Sequence, residues 1–155
     1  MTREPGTATR TLVARRIAAD PTSTALLLAG PTALELWPGL RRVAEVSGRV
    51  VVEADIRHAA RAASVRALPP QRTPTSYLTR FEWAGPGLPA TSGELTLTYA
   101  PARDGEDGEV RTSAELVLTS SGFEGTVLDA DTLTDMAEGF LANLAEAAEL
   151  RNRAA

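Results

Sequence analysis

A chain of 155 residues has the length of one ordinary domain and can bury a core without covalent staples. With no cysteine and one histidine, it excludes a disulfide framework, a thiol nucleophile and any metal centre built from several cysteines or histidines of one chain. Its net charge of −4, from 16 basic and 20 acidic side chains, argues against a nucleic-acid surface.

The longest apolar run, Ala25 to Ala29, falls far short of the roughly 20 residues that cross a bilayer, so no membrane insertion is expected. Residues 1–8 carry Pro5, Gly6 and small polar side chains, which predict a flexible N-terminal arm with no apolar signal region and a cytoplasmic protein. The domain proper is expected over residues 9–155. Alternation from Thr9 to Ile17 predicts a first strand. Asp20-Pro21 ends it, with Asp20 suited to cap a helix and Pro21 to open one. Two short helices follow, over Ala25–Ala29 and Thr32–Leu36, each closed by a Pro/Gly break.

Strands are then expected over Leu40–Ser47 and Arg49–Arg57, with Val50, Val52, Ala54 and Ile56 on one face of the second. Ala62–Leu68 reads as a weaker strand because alanine is a poor strand former. Pro74–Ala84 places Tyr77, Thr79, Phe81 and Trp83 on one face and Arg80 and Glu82 on the other. Glu94–Tyr99 alternates Leu95, Leu97 and Tyr99 with polar residues, an acidic Gly-containing turn spans Asp104–Gly108, and Val110–Leu118 is the last strand, with Thr112, Ala114, Leu116 and Leu118 together. Asp131–Arg151 predicts an amphipathic helix of over five turns, capped by Asp131, whose stripe is Leu133, Met136, Ala137, Phe140, Leu141, Leu144, Ala147 and Ala148. The sum is an α+β fold. A curved antiparallel sheet of about seven strands wraps around a long C-terminal helix, with two short helices after the first strand.

That order resembles the helix-grip fold of the START-like superfamily, also called SRPBCC, which includes polyketide cyclase/dehydratase and lipid-transport proteins. The stretches Ile17-Ala18-Ala19-Asp20-Pro21, Leu36-Trp37-Pro38-Gly39-Leu40 and Gly139-Phe140-Leu141-Ala142-Asn143-Leu144 carry the likeness. They mark the fold and are not catalytic signatures. Thr24-Ala25-Leu26 stands where such proteins often have a bulky aromatic, and no catalytic set transfers position by position. The resemblance implies a cavity between sheet and C-terminal helix, with a hydrophobic small molecule as partner. That molecule would be polyaromatic or polyketide-like, in a carrier, sequestration or resistance role. The alternative is a polyketide aromatase/cyclase or dehydratase. No cofactor or metal is expected, and the chain would act as a monomer or homodimer.

On this reading the ligand-binding residues are Trp37, Val52, Ala54, Tyr77, Thr79, Phe81, Trp83, Leu97, Tyr99, Ala114, Leu116, Met136, Phe140 and Leu144. Aromatic rings stack on flat ligands, and Tyr77 and Tyr99 add hydroxyls. For catalysis, carbonyl polarisation and proton transfer would call on His58, Tyr77 and Arg72, while Arg80 points to the wrong face. Arg57, His58, Arg61, Arg66 and Arg72 form a basic stretch that also reads as a solvated strand edge. The acidic cluster Asp104, Glu106, Asp107 and Glu109 does not match an EF-hand and reads as a hairpin tip. Gly139 inside the helix costs about 1 kcal/mol relative to alanine, so either a close backbone approach or space for a guest is expected there.

Overall fold

The computed structural model describes residues 7–29, 31–46, 49–56, 59–67, 70–85, 88–122 and 128–154. Alternating sequence and antiparallel turns produce the expected sheet. Its strands are β1 (Thr7–Ile17), β2 (Leu40–Val46), β3 (Arg49–Ile56), β4 (Ala59–Ala67), β5 (Gln71–Arg72), β6 (Ser76–Gly85), β7 (Leu88–Tyr99) and β8 (Thr112–Gly122). Seven lie in the order β1-β8-β7-β6-β4-β3-β2, all antiparallel, while the two-residue β5 pairs only with β6. Between β1 and β2 come helix α1 (Pro21–Leu26) and a 3-10 turn over Pro31–Leu36, and α2 (Ala130–Ala154) closes the chain.

Local chemistry sets the helix starts. The Asp20 carboxylate accepts from the Ser23 amide at 2.8 Å and caps α1 as expected, with Pro21 at the first position. For α2 the cap lies two residues earlier than the sequence suggested. Asp129 Oδ1 accepts from the Thr132 amide at 2.8 Å, and Asp131 sits in the first turn. A carboxylate reaches the amide three residues ahead only from the non-helical position, and Asp129 holds it.

Register shows how one face becomes the core. Across four strands Tyr77 pairs with Leu97, Leu97 with Ala114, and Ala114 with Arg15. The next rows are Thr79–Leu95–Leu116–Val13 and Phe81–Gly93–Leu118–Thr11. Paired residues share a face, and Thr11 Oγ1 meets Thr134 Oγ1 of α2 at 2.9 Å, so this face looks at the helix. From α2, Leu133, Ala137, Phe140, Leu141, Leu144, Ala145 and Ala148 are buried against it. Met136 and Ala147, expected in the stripe, are only partly buried, and Ala145 takes the inner place. On the outer face Arg80 and Glu94 pair at 3.4 Å.

The acidic turn between β7 and β8 is a largely exposed hairpin tip that one arginine ties to the sheet. Arg16 of β1 donates to Glu106 at 3.1 and 3.3 Å and to the Pro101 carbonyl at 2.6 Å. Glu106 also accepts from the Arg103 amide at 2.7 Å. The Arg16 hydrogen bond, followed by the Arg103 amide, holds the Glu106 carboxyl below its ordinary value, and backbone and side-chain bonds from Ser23 do the same for Asp20. Because both folded values are depressed, their stabilisation is present above the unfolded carboxylate range and disappears as pH falls through the folded values. The melting temperature should therefore drop on acidification below that range. Glu106→Gln should remove part of the drop while lowering stability slightly at neutral pH. An unchanged acid limb in that variant would remove Glu106 from the explanation.

Candidate functional site

Where the trough is deepest, aromatic rings fill it. Trp37 follows the 3-10 turn and lies between α2 and β6. Its ring stacks on Phe140 with centroids 4.2 Å apart, and meets Trp83 at 4.6 Å and Phe81 at 5.5 Å edge to face. Phe81, Leu95, Leu116, Phe140 and Leu144 are fully buried around it. At this level Trp37, expected among the ligand-binding residues, packs on Phe140, Trp83 and Phe81 and occupies the space between sheet and helix. Val52, Thr79, Trp83, Leu97 and Ala114 are buried around the same cluster, and Met136 packs at its edge. Ala54 pairs with Leu40 and Arg61, but its side chain lies outside the described part, and His58 lies outside the described residues altogether.

Two glycines make this packing possible. A Cβ on Gly139 would stand 2.3 Å from Pro38 Cγ, so the glycine serves close approach, one of the two explanations the sequence left open. One turn on, Asn143 Nδ2 donates to the Leu36 carbonyl at 2.8 Å. Together these contacts clamp the segment carrying Trp37 onto α2. In β7, a Cβ on Gly93 would meet Leu118 Cδ2 at 2.9 Å, so the gap in the strand accommodates Leu118, with the Trp83 ring in ordinary contact at 3.5 Å.

Among the described residues, one buried polar atom in this core lacks a partner. Trp37 is 3% exposed and its Nε1 has no hydrogen-bond acceptor. Such a donor costs about 1–3 kcal/mol when buried unpaired.

At the α1 end, the trough opens. A cleft of about 370 Å³ is lined by Asp20, Pro21, Thr22, Arg72, Thr73, Tyr77 and Tyr99, with residues 74–76 between. Arg72 is directly opposite Tyr77 in the β5–β6 ladder, which places both on the inner face. Tyr77 hydrogen-bonds Thr22 across the cleft, hydroxyl to hydroxyl, at 2.9 Å. Tyr99, expected among the ligand-binding residues, is 62% exposed and lines the rim of the cleft. Strand period puts it in line with Leu95 and Leu97, which are buried, while Tyr99 at the end of β7 is largely open to solvent. The sequence signal for this cleft was weak: β5 is two residues long, and Arg72 in it read equally as a solvated edge.

The trough-and-helix geometry matches solved structures over nearly the whole chain. The Zhui aromatase/cyclase from Streptomyces sp. R1128 superposes with a TM-score of 0.65 at 18% identity, covering 96% of this chain and 98% of that one. The chain has the helix-grip fold. Ginseng major latex-like protein 151 from Panax ginseng shares it, with a TM-score of 0.61, 10% identity, and coverage of 91% and 97%. So does a conserved protein from Geobacillus kaustophilus, with a TM-score of 0.55, 10% identity, and coverage of 90% and 93%. No protein-family model matches the sequence, and no curated protein matches it. Helix-grip proteins at this distance share architecture, and the site must be read from this chain's own residues. Among the described residues, no helix is long and apolar enough to cross a membrane.

Proposed function

We propose that this chain binds an apolar, ring-bearing small molecule between the sheet and α2, with the cleft at Tyr77 and Tyr99 as its entrance. The observation that carries the reading is the continuity of the inner face. It runs from the open cleft through Thr79, Leu97 and Leu95 to the Trp37–Phe81–Trp83–Phe140 cluster. At ~3.4 Å per residue, Tyr77 and Phe81 are roughly 13 Å apart along β6, about the length of a few fused rings. A guest that reaches the cluster takes the place of Trp37 or stacks beside it. The unpaired Nε1 makes the closed packing around Trp37 less favourable than burial alone would suggest.

Burying about 300 Å² of apolar ligand surface contributes roughly 7 kcal/mol before association entropy is subtracted, which fits micromolar binding. The role that suits such a site is carriage or sequestration of a polyaromatic or polyketide-like molecule in the cytoplasm. Thermal-shift screening with polycyclic aromatic compounds tests it. A guest at 100 times its dissociation constant stabilises the fold by about 2.7 kcal/mol, or about 5–10 °C for a chain of this size. No shift across a set of two- to four-ring compounds would sink the reading.

A second reading, aromatase/cyclase or dehydratase action on a bound poly-ketone, is favoured by one feature. Arg72, Tyr77 and Tyr99 meet in a single cleft, where a guanidinium and phenols can donate to a substrate carbonyl. Its proton acceptor is the missing part, since both Asp20 oxygens are engaged by Ser23. Product formation from a poly-β-ketone, lost in Tyr77→Phe with binding kept, would decide for it.

A further inference from the structure

The mouth cleft has its own electrostatics. Arg72 is exposed and makes no ion pair among the described residues. The cleft's carboxylate, Asp20, is turned into α1: Oδ1 accepts from the Ser23 amide at 2.8 Å and Oδ2 from the Ser23 hydroxyl at 2.9 Å. Its charge is further offset by Arg111 on the far side. Thr22 and Tyr77 share one hydrogen bond that either hydroxyl can donate, so with Thr22 as donor the Tyr77 proton is free for an incoming oxygen, and Tyr99 brings a second hydroxyl at the rim. A guanidinium without a protein anion, flanked by hydroxyls and facing an apolar trough, matches a molecule with an acidic end and a flat apolar body.

We infer that the ligand of this site is a weak organic acid, an aromatic carboxylate or an acidic phenol or enol. Its ionised oxygen is bound at the mouth by Arg72 and the tyrosine hydroxyls, and its ring system is directed toward Trp37. This rests on the binding reading above and adds the ligand's charge and orientation. A planar guanidinium meets a carboxylate through two parallel N–H donors, and such charge-assisted bonds are about twice as strong as neutral ones. Asp20 limits the gain, because a second carboxylate in the same cleft feels its residual field.

The test uses two probes of equal shape, 2-naphthoate and its neutral amide, titrated calorimetrically into the wild-type chain and Arg72→Gln. The acid should bind wild type about tenfold tighter than the amide. That preference should shrink between about 20 and about 300 mM salt, because the cleft is open to solvent. Arg72→Gln should abolish the preference by weakening the acid far more than the amide, and should melt with the wild type, since Arg72 is exposed. Tyr77→Phe should weaken the acid by a smaller factor than Arg72→Gln does, and weaken the acid more than the amide. Equal binding of acid and amide to wild type, or a preference that survives Arg72→Gln, overturns the inference and leaves the aromatic site standing. Failure of both probes to bind wild type overturns the aromatic site and this inference with it.

Discussion

Trp37→Ala should destabilise the protein by about 3–5 kcal/mol, the range for removing a fully packed large aromatic. The indole contacts Phe140, Trp83 and Phe81 at once, and its neighbours are too well buried to collapse into the gap freely. For a domain of this size the melting temperature falls by roughly 6–20 °C. The same variant should gain a site for a small aromatic, because an apolar cavity of that size stays dry and takes apolar guests. Added indole should therefore raise the melting temperature of Trp37→Ala by more than it raises that of wild type. Trp37→Phe behaves differently. It removes the buried Nε1 donor that has no acceptor, relieving a penalty of about 1–3 kcal/mol, while losing part of the ring volume. Its stability should stay within about 1.5 kcal/mol of wild type, the usual tolerance for near-isosteric changes. A loss under about 1 kcal/mol in Trp37→Ala would mean that the ring does not hold the trough closed. Chemical denaturation of the three chains gives each number directly.

Gly139→Ala separates two opposing effects by their sign. Alanine is the better helix former by about 1 kcal/mol, so helix propensity alone predicts stabilisation. Packing predicts the reverse. The new Cβ would lie 2.3 Å from Pro38 Cγ, where ordinary carbon contacts begin near ~3.5 Å, and the pyrrolidine ring has no free end to swing aside. The segment must lift from α2 by about an ångström, which strains the Asn143 to Leu36 hydrogen bond and loosens the Trp37–Phe140 stack. Overpacking costs about 1–3 kcal/mol, and the hydrogen bond adds about 1 kcal/mol. After the propensity gain is subtracted, a net loss of about 1–3 kcal/mol is expected. A compensating Pro38→Ala in the same chain should recover most of it. If Gly139→Ala alone raises the melting temperature, the Pro38 contact is not what the glycine serves.

The two variants also bear on function. Both loosen the closed packing over the inner end of the trough, so both should increase the on-rate of an aromatic guest. Neither should alter the acid preference, which resides some 13 Å away at Arg72 by strand spacing.

Much of this protein was legible in the order of its residues. Period-two alternation in Pro74–Ala84 put Tyr77, Thr79, Phe81 and Trp83 on one side of β6, and the ladder keeps them there. The spacing of apolar residues three and four apart marked α2 and most of its buried stripe, and Asp20-Pro21 announced the start of α1. These features are local: a period or a cap is settled by neighbours a few residues away. What occupies the trough was decided elsewhere. Trp37 reaches Phe140, and Pro38 reaches Gly139, across about a hundred residues of chain, and no period in either segment tells which distant side chain fills the volume opposite. The same holds for Arg72, whose placement beside Tyr77 depends on a two-residue pairing too short to leave a pattern. Alternation determines which face a side chain takes, whereas the space that face encloses is shared between segments, and only the folded chain brings them together.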